Sequence, residues 1–128
     1  MQVTLTGAGG FIGSHLAERL VREGHQVRAL VRYTSGASHG LLDELSSEIA
    51  DHVEVRPGDL RDPETVREVV CGADLVFHLA ALIAIPYSYV HPREVIETNI
   101  MGTYNVLAAV REYGVPRMVH TSTSEVYG

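Results

Sequence analysis

The sequence predicts an α/β fold built on a doubly wound parallel sheet. Two observations support this prediction: short apolar strands alternate with amphipathic helices five times along the 128 residues, and a glycine-rich turn joins the first strand to the first helix. Strands that alternate with helices pair in parallel through right-handed crossovers. We therefore expect the strand order 3-2-1-4-5 and a single domain over residues 1–128.

The first strand, turn and helix occupy residues 3–24. Residues 3–6 are short, apolar and β-prone, and Ile12, Leu16 and Leu20 are spaced four residues apart, so they line one face of a helix. Gly24 is expected to end this helix, because glycine is common just after a helix.

The remaining elements continue the alternation. A loop at residues 33–40 has the Gly and Ser content of a connection, and Pro63 suits the first turn of a helix. Gly102 lies inside the last helix, where glycine costs about 1 kcal/mol relative to alanine, so we expect close packing there. The predicted strands are 27–31, 52–55, 74–78 and 117–121, and the predicted helices are 41–49, 63–70 and 92–113.

The turn at residues 6–13 reads TGAGGFIG and has the features of a dinucleotide-binding loop. Gly7 permits a sharp turn, Gly10 permits close approach of a pyrophosphate, and Gly13 permits close packing of the helix on the strand. The first amides of the helix then face the phosphates. A plain tight turn is the alternative, but the flanking strand and helix favour a cofactor site and a Rossmann-type fold.

The end of the second strand bears on which cofactor is bound. Sites for NAD usually place an acidic residue there, against the ribose 2′-hydroxyl, whereas this chain has Val31 and Arg32. A guanidinium instead favours the 2′-phosphate of NADP. We predict NAD(P), with NADP modestly favoured; the alternative is that Arg32 is a solvated charge at a strand end.

Composition excludes several classes of partner. The net charge of −6 provides no basic stripe for nucleic acid or an anionic membrane surface. The longest apolar run, residues 79–85, is far shorter than the roughly 20 residues of a membrane-spanning helix. Cys71 is the only cysteine, and no signal segment precedes the first strand, so we predict a cytoplasmic protein.

Seven histidines raise the question of a metal site. None of them forms the close pair that zinc sites use, so we predict no metal site. His78 stands alone at the end of the fourth strand, and we expect it to have a structural role.

Five motifs follow one another along the chain: TGAGGFIG at 6–13, DL at 59–60, HLAA at 78–81, Asn99 with GTYNVL at 102–107, and TSTSEVYG at 121–128. In this order they resemble the extended short-chain dehydrogenase/reductase family, and within it the nucleotide-sugar epimerases and dehydratases. The resemblance implies a role for each motif. The cofactor pyrophosphate would be bound by Gly7, Gly10, Phe11, Ile12 and Gly13, and the adenine edge would be held by Asp59 and Leu60. The nicotinamide ribose would lie above Leu79, Ala80 and Ala81, and Asn99 would brace the site.

The triplet Thr123, Ser124 and Glu125 resembles that of the GDP-mannose 4,6-dehydratases, and residues 80–89 resemble amino-sugar dehydratases of legionaminic-acid-type pathways. Oxidation at C4 of a hexose makes the C5 proton acidic, and a carboxylate is a suitable base for it. Glu125 would remove this proton, Ser124 would help the C6 hydroxyl leave, and Thr123 would hydrogen-bond the C4 oxygen. The alternative is that Glu125 is a solvated carboxylate beyond a strand.

Three further residues, Tyr87, Ser88 and Tyr89, follow the fourth strand and are expected to face the sugar of a nucleotide-sugar substrate. Ser88 resembles a substrate-side serine of many relatives; an ordinary loop residue is the alternative for Ser88. Relatives usually dimerise through two helices, of which residues 92–113 supply one. A homodimer is therefore expected for the complete enzyme.

The chain also departs from the family pattern. The family carries a Tyr-x-x-x-Lys pair after the fifth-strand motif, and this sequence contains no lysine. We therefore expect an N-terminal part of a longer dehydratase, ending before the later strands and inactive alone. A nucleotide-sugar 4-epimerase or reductase and a non-catalytic dinucleotide-binding module remain the alternatives.

Overall fold

A computed structural model describes residues 1–127 and contains a five-stranded parallel sheet. The strand order is β3-β2-β1-β4-β5, which confirms the predicted fold class and order. The strands are β1 (Gln2–Thr6), β2 (Gln26–Arg32), β3 (Val53–Gly58), β4 (Leu75–His78) and β5 (Met118–His120).

Six α-helices connect the strands in the described residues. They are α1 (Phe11–Arg22), α2 (Ser47–Ala50), α3 (Pro63–Val70), α4 (Ile85–Val90), α5 (Pro92–Ile96) and α6 (Gly102–Glu112). A π-helical turn, Glu97–Met101, joins α5 to α6, and short 3-10 helices cover Gly40–Glu44 and Ser124–Tyr127. Within residues 1–127, no helix has the length and apolar character needed to cross a membrane.

The predicted helix at residues 41–49 was wrong. It is divided into the 3-10 helix and α2, because Leu45 and Ser46 adopt extended backbone angles between them. Serine competes with helical hydrogen bonding and favours helix starts, which explains the interruption. Helix α4 was not predicted, because its aromatic and β-branched residues have low helix propensity.

The core has two layers, one on each face of the sheet. Apolar residues of β1 and β2 pack with α1 on one face, and α3 and α6 pack on the other. The first layer contains Val3, Leu5, Ala17, Leu20, Val27, Ala29 and Val31. The second contains Leu60, Val66, Val69, Val70, Val76, Val106 and Ala109. Helices on both faces are what a doubly wound sheet requires.

The parallel register brings the carboxyl ends of the strands to one edge. Thr6 at the end of β1 pairs with Leu30 of β2 and His78 of β4, and His78 in turn pairs with His120 of β5. The loops that leave these strands therefore meet at this edge, where ligands bind in sheets of this type.

Gly13 gives a direct test of the packing between α1 and β1. A Cβ at this position would overlap the carbonyl oxygen of Gly7 and the Cα of Ala8. We expect Gly13→Ala to lower the free energy of unfolding by about 1–3 kcal/mol, as overpacking does, measured by urea denaturation. Gly36→Ala is the control, since its Cβ would enter open space; equal effects of the two changes would contradict the packing argument.

Candidate functional site

A groove of about 640 Å³ lies at the carboxyl edge of the sheet. Its walls come from the loops after β1, β2, β3 and β4, together with Thr98 and Thr121. A volume of this size lies in the range of small-molecule and cofactor sites. The structure brings most of the predicted cofactor residues together in its lining: Gly7, Gly10, Phe11, Ile12, Gly13, Arg32, Asp59, Leu60, Leu79, Ala80 and Ala81.

The glycine turn forms the floor of the groove with backbone atoms. Gly7 has φ +73°, and a Cβ there would lie 2.8 Å from the amide nitrogen of Ala80. The amide of Gly10 donates to the carbonyl of Gly7 at 3.2 Å and closes the turn. A Cβ on Gly10 would meet only that carbonyl, at 3.4 Å, within residues 1–127, so the space beside Gly10 is open.

Helix α1 presents its first amides to this space. Gly10 is its N-cap residue, and no side chain caps it in the described structure. The first amides of a helix have no carbonyl partner in a preceding turn and carry the positive end of the helix dipole. Phe11 and Ile12 both have exposed side chains. The turn can therefore bind an anion through its backbone.

The loop after β2 forms a second wall, which the sequence analysis did not identify. The amide of Leu41 donates to the carbonyl of Gly9 at 3.0 Å, and a Cβ on Gly9 would lie 2.6 Å from the carbonyl oxygen of His39. Asp43 accepts hydrogen bonds from the His39 amide and the Ser38 hydroxyl, both at 3.0 Å, and the first of these lowers the pKa of Asp43. The two adjacent glycines at residues 9–10 were the sequence feature that could have indicated this second wall.

Asp59 and Leu60 form the wall after β3. The Asp59 carboxylate accepts from the side chain and the amide of Arg61, with distances of 2.6 to 3.0 Å. The hydrogen bond from the Arg61 side chain lowers the pKa of Asp59. Leu60 is held by α6: the Asn105 side chain donates to its carbonyl at 2.8 Å, and a Cβ on Gly102 would lie 2.9 Å from its Cβ. The expected close packing at Gly102 is confirmed.

His78, the last residue of β4, connects β1 to α6. It is 1% exposed; Nδ1 lies 2.7 Å from the Thr6 hydroxyl, and Nε2 lies 3.0 Å from the Thr103 hydroxyl. Thr103 donates to the carbonyl of Asn99 at 2.7 Å, so it accepts from Nε2–H. Nδ1 then accepts from Thr6, whose oxygen accepts from the Ala80 amide at 3.2 Å. With a neutral imidazole, every donor and acceptor in this series of hydrogen bonds has a partner.

Asn99 forms hydrogen bonds with the loop after β4. Its side-chain oxygen accepts from the Leu82 amide at 2.8 Å, and its side-chain nitrogen donates to the Leu82 carbonyl at 2.9 Å. Asn99 is not among the residues that line the groove. Its contact with the groove wall is through the backbone of Leu82, which is a lining residue.

The predicted catalytic and substrate residues lie outside the groove lining. Thr123, Ser124 and Glu125 are exposed after β5, where the Glu125 amide donates to the Thr123 hydroxyl at 3.2 Å. Ser88 lies in α4 and donates to the Ile85 carbonyl at 2.6 Å, while the Tyr89 side chain is exposed. Gly128, the last residue of the fifth motif, lies outside the described residues.

The fold and the groove define a Rossmann-type domain with a glycine-turn anion site. The sequence model of the family described as GDP-mannose 4,6 dehydratase matches residues 5–128. The chain therefore belongs to this family of nucleotide-sugar enzymes.

Two curated relatives are similar to the chain over nearly its whole length. The chain is 39% identical over 124 residues to the UDP-N-acetyl-alpha-D-glucosaminuronate decarboxylase of Bacillus cytotoxicus, covering 97% of this chain and 37% of the relative. It is 35% identical over 128 residues to the dTDP-glucose 4,6-dehydratase of Mycobacterium tuberculosis, covering 100% of this chain and 38% of the relative. The chain thus spans less than two fifths of the length of these relatives.

Solved structures of two epimerases are also similar. UDP-glucose 4-epimerase of Thermus thermophilus, in complex with NAD, has a TM-score of 0.78 at 34% identity, covering 96% of this chain and 38% of that one. UDP-glucose 4-epimerase of Bifidobacterium longum, in complex with NAD+ and UDP, has a TM-score of 0.85 at 27% identity, covering 100% and 38%. Both structures share the fold described above.

The buried imidazole predicts how stability depends on pH. Burial, with a smaller contribution from His120, lowers the pKa of His78 from 6.5 to about 4. Between these values the unfolded chain binds a proton that the folded chain does not, so stability falls as the pH drops from about 6.5 to about 4, by at most about 1.4 kcal/mol per pH unit. Urea denaturation across this range measures the slope, and His78→Gln is expected to flatten it. An unchanged slope in this variant would contradict the assignment.

Proposed function

We propose that residues 1–128 form the NAD(P)-binding part of a nucleotide-sugar 4,6-dehydratase. The observation that supports this most is the open, backbone-lined groove in which the glycine turn, Asp59 and residues 79–81 converge. Membership of the GDP-mannose 4,6 dehydratase family and the triplet at residues 123–125 support the choice of dehydration.

The residues present fit a nicotinamide dinucleotide. The uncapped start of α1 and the open space beside Gly10 suit a pyrophosphate. Asp59 lies at the wall where an adenine edge would be held, and Leu79, Ala80 and Ala81 line the opposite part of the groove. When bound, the cofactor would supply hydride acceptance from C4 of the sugar and hydride return to C6.

The chain's own residues have the following proposed roles. Glu125 removes the C5 proton, Ser124 assists departure of the C6 hydroxyl, and Thr123 hydrogen-bonds the C4 oxygen. Ser88 and Tyr89 contact the sugar. Since the sequence has no lysine to pair with a catalytic tyrosine, we propose that this chain binds the dinucleotide without turning over the sugar by itself.

A 4-epimerase is the second candidate, and the similar epimerase structures favour it. The two reactions differ in their need for a base at C5. Epimerisation at C4 leaves the C5 proton in place, whereas 4,6-dehydration removes it. Glu125 therefore distinguishes the two candidates.

Gly10 tests the proposed cofactor site without disturbing the core. A Cβ there would meet only the Gly7 carbonyl, at 3.4 Å, in the described residues, so Gly10→Ala is expected to fold normally while its methyl group enters the pyrophosphate space. We expect the affinity for NADPH and NADH to fall about tenfold or more, equivalent to at least about 1.4 kcal/mol, measured by isothermal titration calorimetry. Gly36→Ala is the matched control and should bind like the unmodified chain. Equal affinities for all three proteins would overturn the site.

Glu125 tests the proposed chemistry. Residues 1–128 would be joined to the C-terminal part of the Mycobacterium tuberculosis dehydratase, and formation of the 4-keto-6-deoxy sugar would be followed. Glu125→Gln is expected to lower kcat by about 10²–10⁴, the usual contribution of a positioned base. Glu48→Gln, an exposed carboxylate on α2, is the control. Undiminished turnover in Glu125→Gln would exclude dehydration that uses this base.

A further inference from the structure

Two arginines, Arg32 and Arg61, line the groove in the part of the chain that the structure describes. They differ in how firmly each is held. Arg61 makes three side-chain contacts of 2.6 to 3.0 Å with the two carboxylate oxygens of Asp59. Arg32 makes one side-chain hydrogen bond within residues 1–127, from Nη2 to Oε1 of Glu94 at 3.0 Å. The remaining donors of Arg32 are the ones available to a ligand.

Glu94 contacts Arg32 from a segment that is distant in sequence. Arg32 ends β2, whereas Glu94 belongs to α5, 62 residues further along the chain. The second carboxylate oxygen of Glu94 accepts a hydrogen bond from the Tyr87 hydroxyl. That bond, together with the charges of Arg32 and Arg61, lowers the pKa of Glu94, so the carboxylate is ionised at neutral pH.

We propose that Glu94 is a cofactor-specificity residue, whose carboxylate holds Arg32 and thereby weakens binding of a dinucleotide that carries a 2′-phosphate. This inference rests on the proposed function, because it assumes that the groove binds a dinucleotide. It goes further by naming the residue that opposes NADP binding at Arg32, which has fewer side-chain hydrogen bonds than Arg61 in the described structure.

The sign of the effect follows from charge. A 2′-phosphate carries close to two negative charges at neutral pH, and a guanidinium is its natural partner. Glu94 competes for the same guanidinium and adds a negative charge beside it. NAD lacks that phosphate, so its affinity is insensitive to this competition.

The test compares Glu94→Gln with the unmodified chain in NADPH and NADH titrations at fixed ionic strength. We expect NADPH to bind about three- to tenfold more tightly to Glu94→Gln, since one negative charge near a dianion is removed at a solvated site. The affinity for NADH should change by less than about twofold. In an Arg32→Gln background, Glu94→Gln should alter NADPH affinity by less than about twofold.

Glu112→Gln is the matched control. It removes the same charge from a carboxylate paired with Arg67, neither of which lines the groove, and should leave both affinities unchanged. Unchanged or weaker NADPH binding in Glu94→Gln overturns the inference, as does an equal gain without Arg32. Absence of saturable binding of either dinucleotide to the unmodified chain overturns the proposed function and the inference together.

Discussion

Backbone packed directly against backbone holds the groove in its shape. Gly7 lies against the Ala80 amide, Gly13 against the carbonyl of Gly7, and Gly9 against the carbonyl of His39. Three segments that are distant in sequence thus meet with no side chain between them. The floor of the groove is therefore made of peptide groups. Peptide dipoles attract an anion without the help of a positively charged side chain. This explains how a chain of net charge −6 can present the phosphate site that we propose.

A series of hydrogen-bonded polar groups also holds the glycine turn against the loop after β4. The hydroxyl of Thr6 sits between the Ala80 amide and His78, and Thr103 connects His78 to the backbone of Asn99. Buried polar groups are tolerated only when each finds a partner. The neutral imidazole meets this condition because both of its nitrogens are used. The glycine turn and the loop after β4 are therefore fixed relative to each other by hydrogen bonds as well as by packing.

The fold class followed from local signals, whereas much of the site did not. Alternating strands and helices and the TGAGGFIG turn depend on neighbouring residues, so the sheet order and the groove's glycine side were predicted. The predicted helix at residues 41–49 is divided into a 3-10 helix and α2 by the extended backbone at Leu45 and Ser46. The pairing of Arg32 with Glu94 depends on an approach across 62 residues, which no local pattern encodes. His78 was assigned a structural role, but its two threonine partners needed the register of β1 and β4.

The two groups of proposed site residues differ in their surroundings, because one group lines the groove and the other is exposed after β5. The groove that we propose for the cofactor is lined mainly by the loops after β1, β2, β3 and β4, and hydrogen bonds link these loops to Thr6, Asn99 and α6. The triplet after β5 is exposed, and β5 is an edge strand. Apolar side chains also remain exposed between residues 96 and 107, at Ile96, Ile100, Tyr104 and Leu107. The proposed dinucleotide binding involves the residues of the groove, whereas proton removal by Glu125 requires its carboxylate to be held in place. The cofactor binding and the proton removal that we propose therefore depend on separate parts of the described structure.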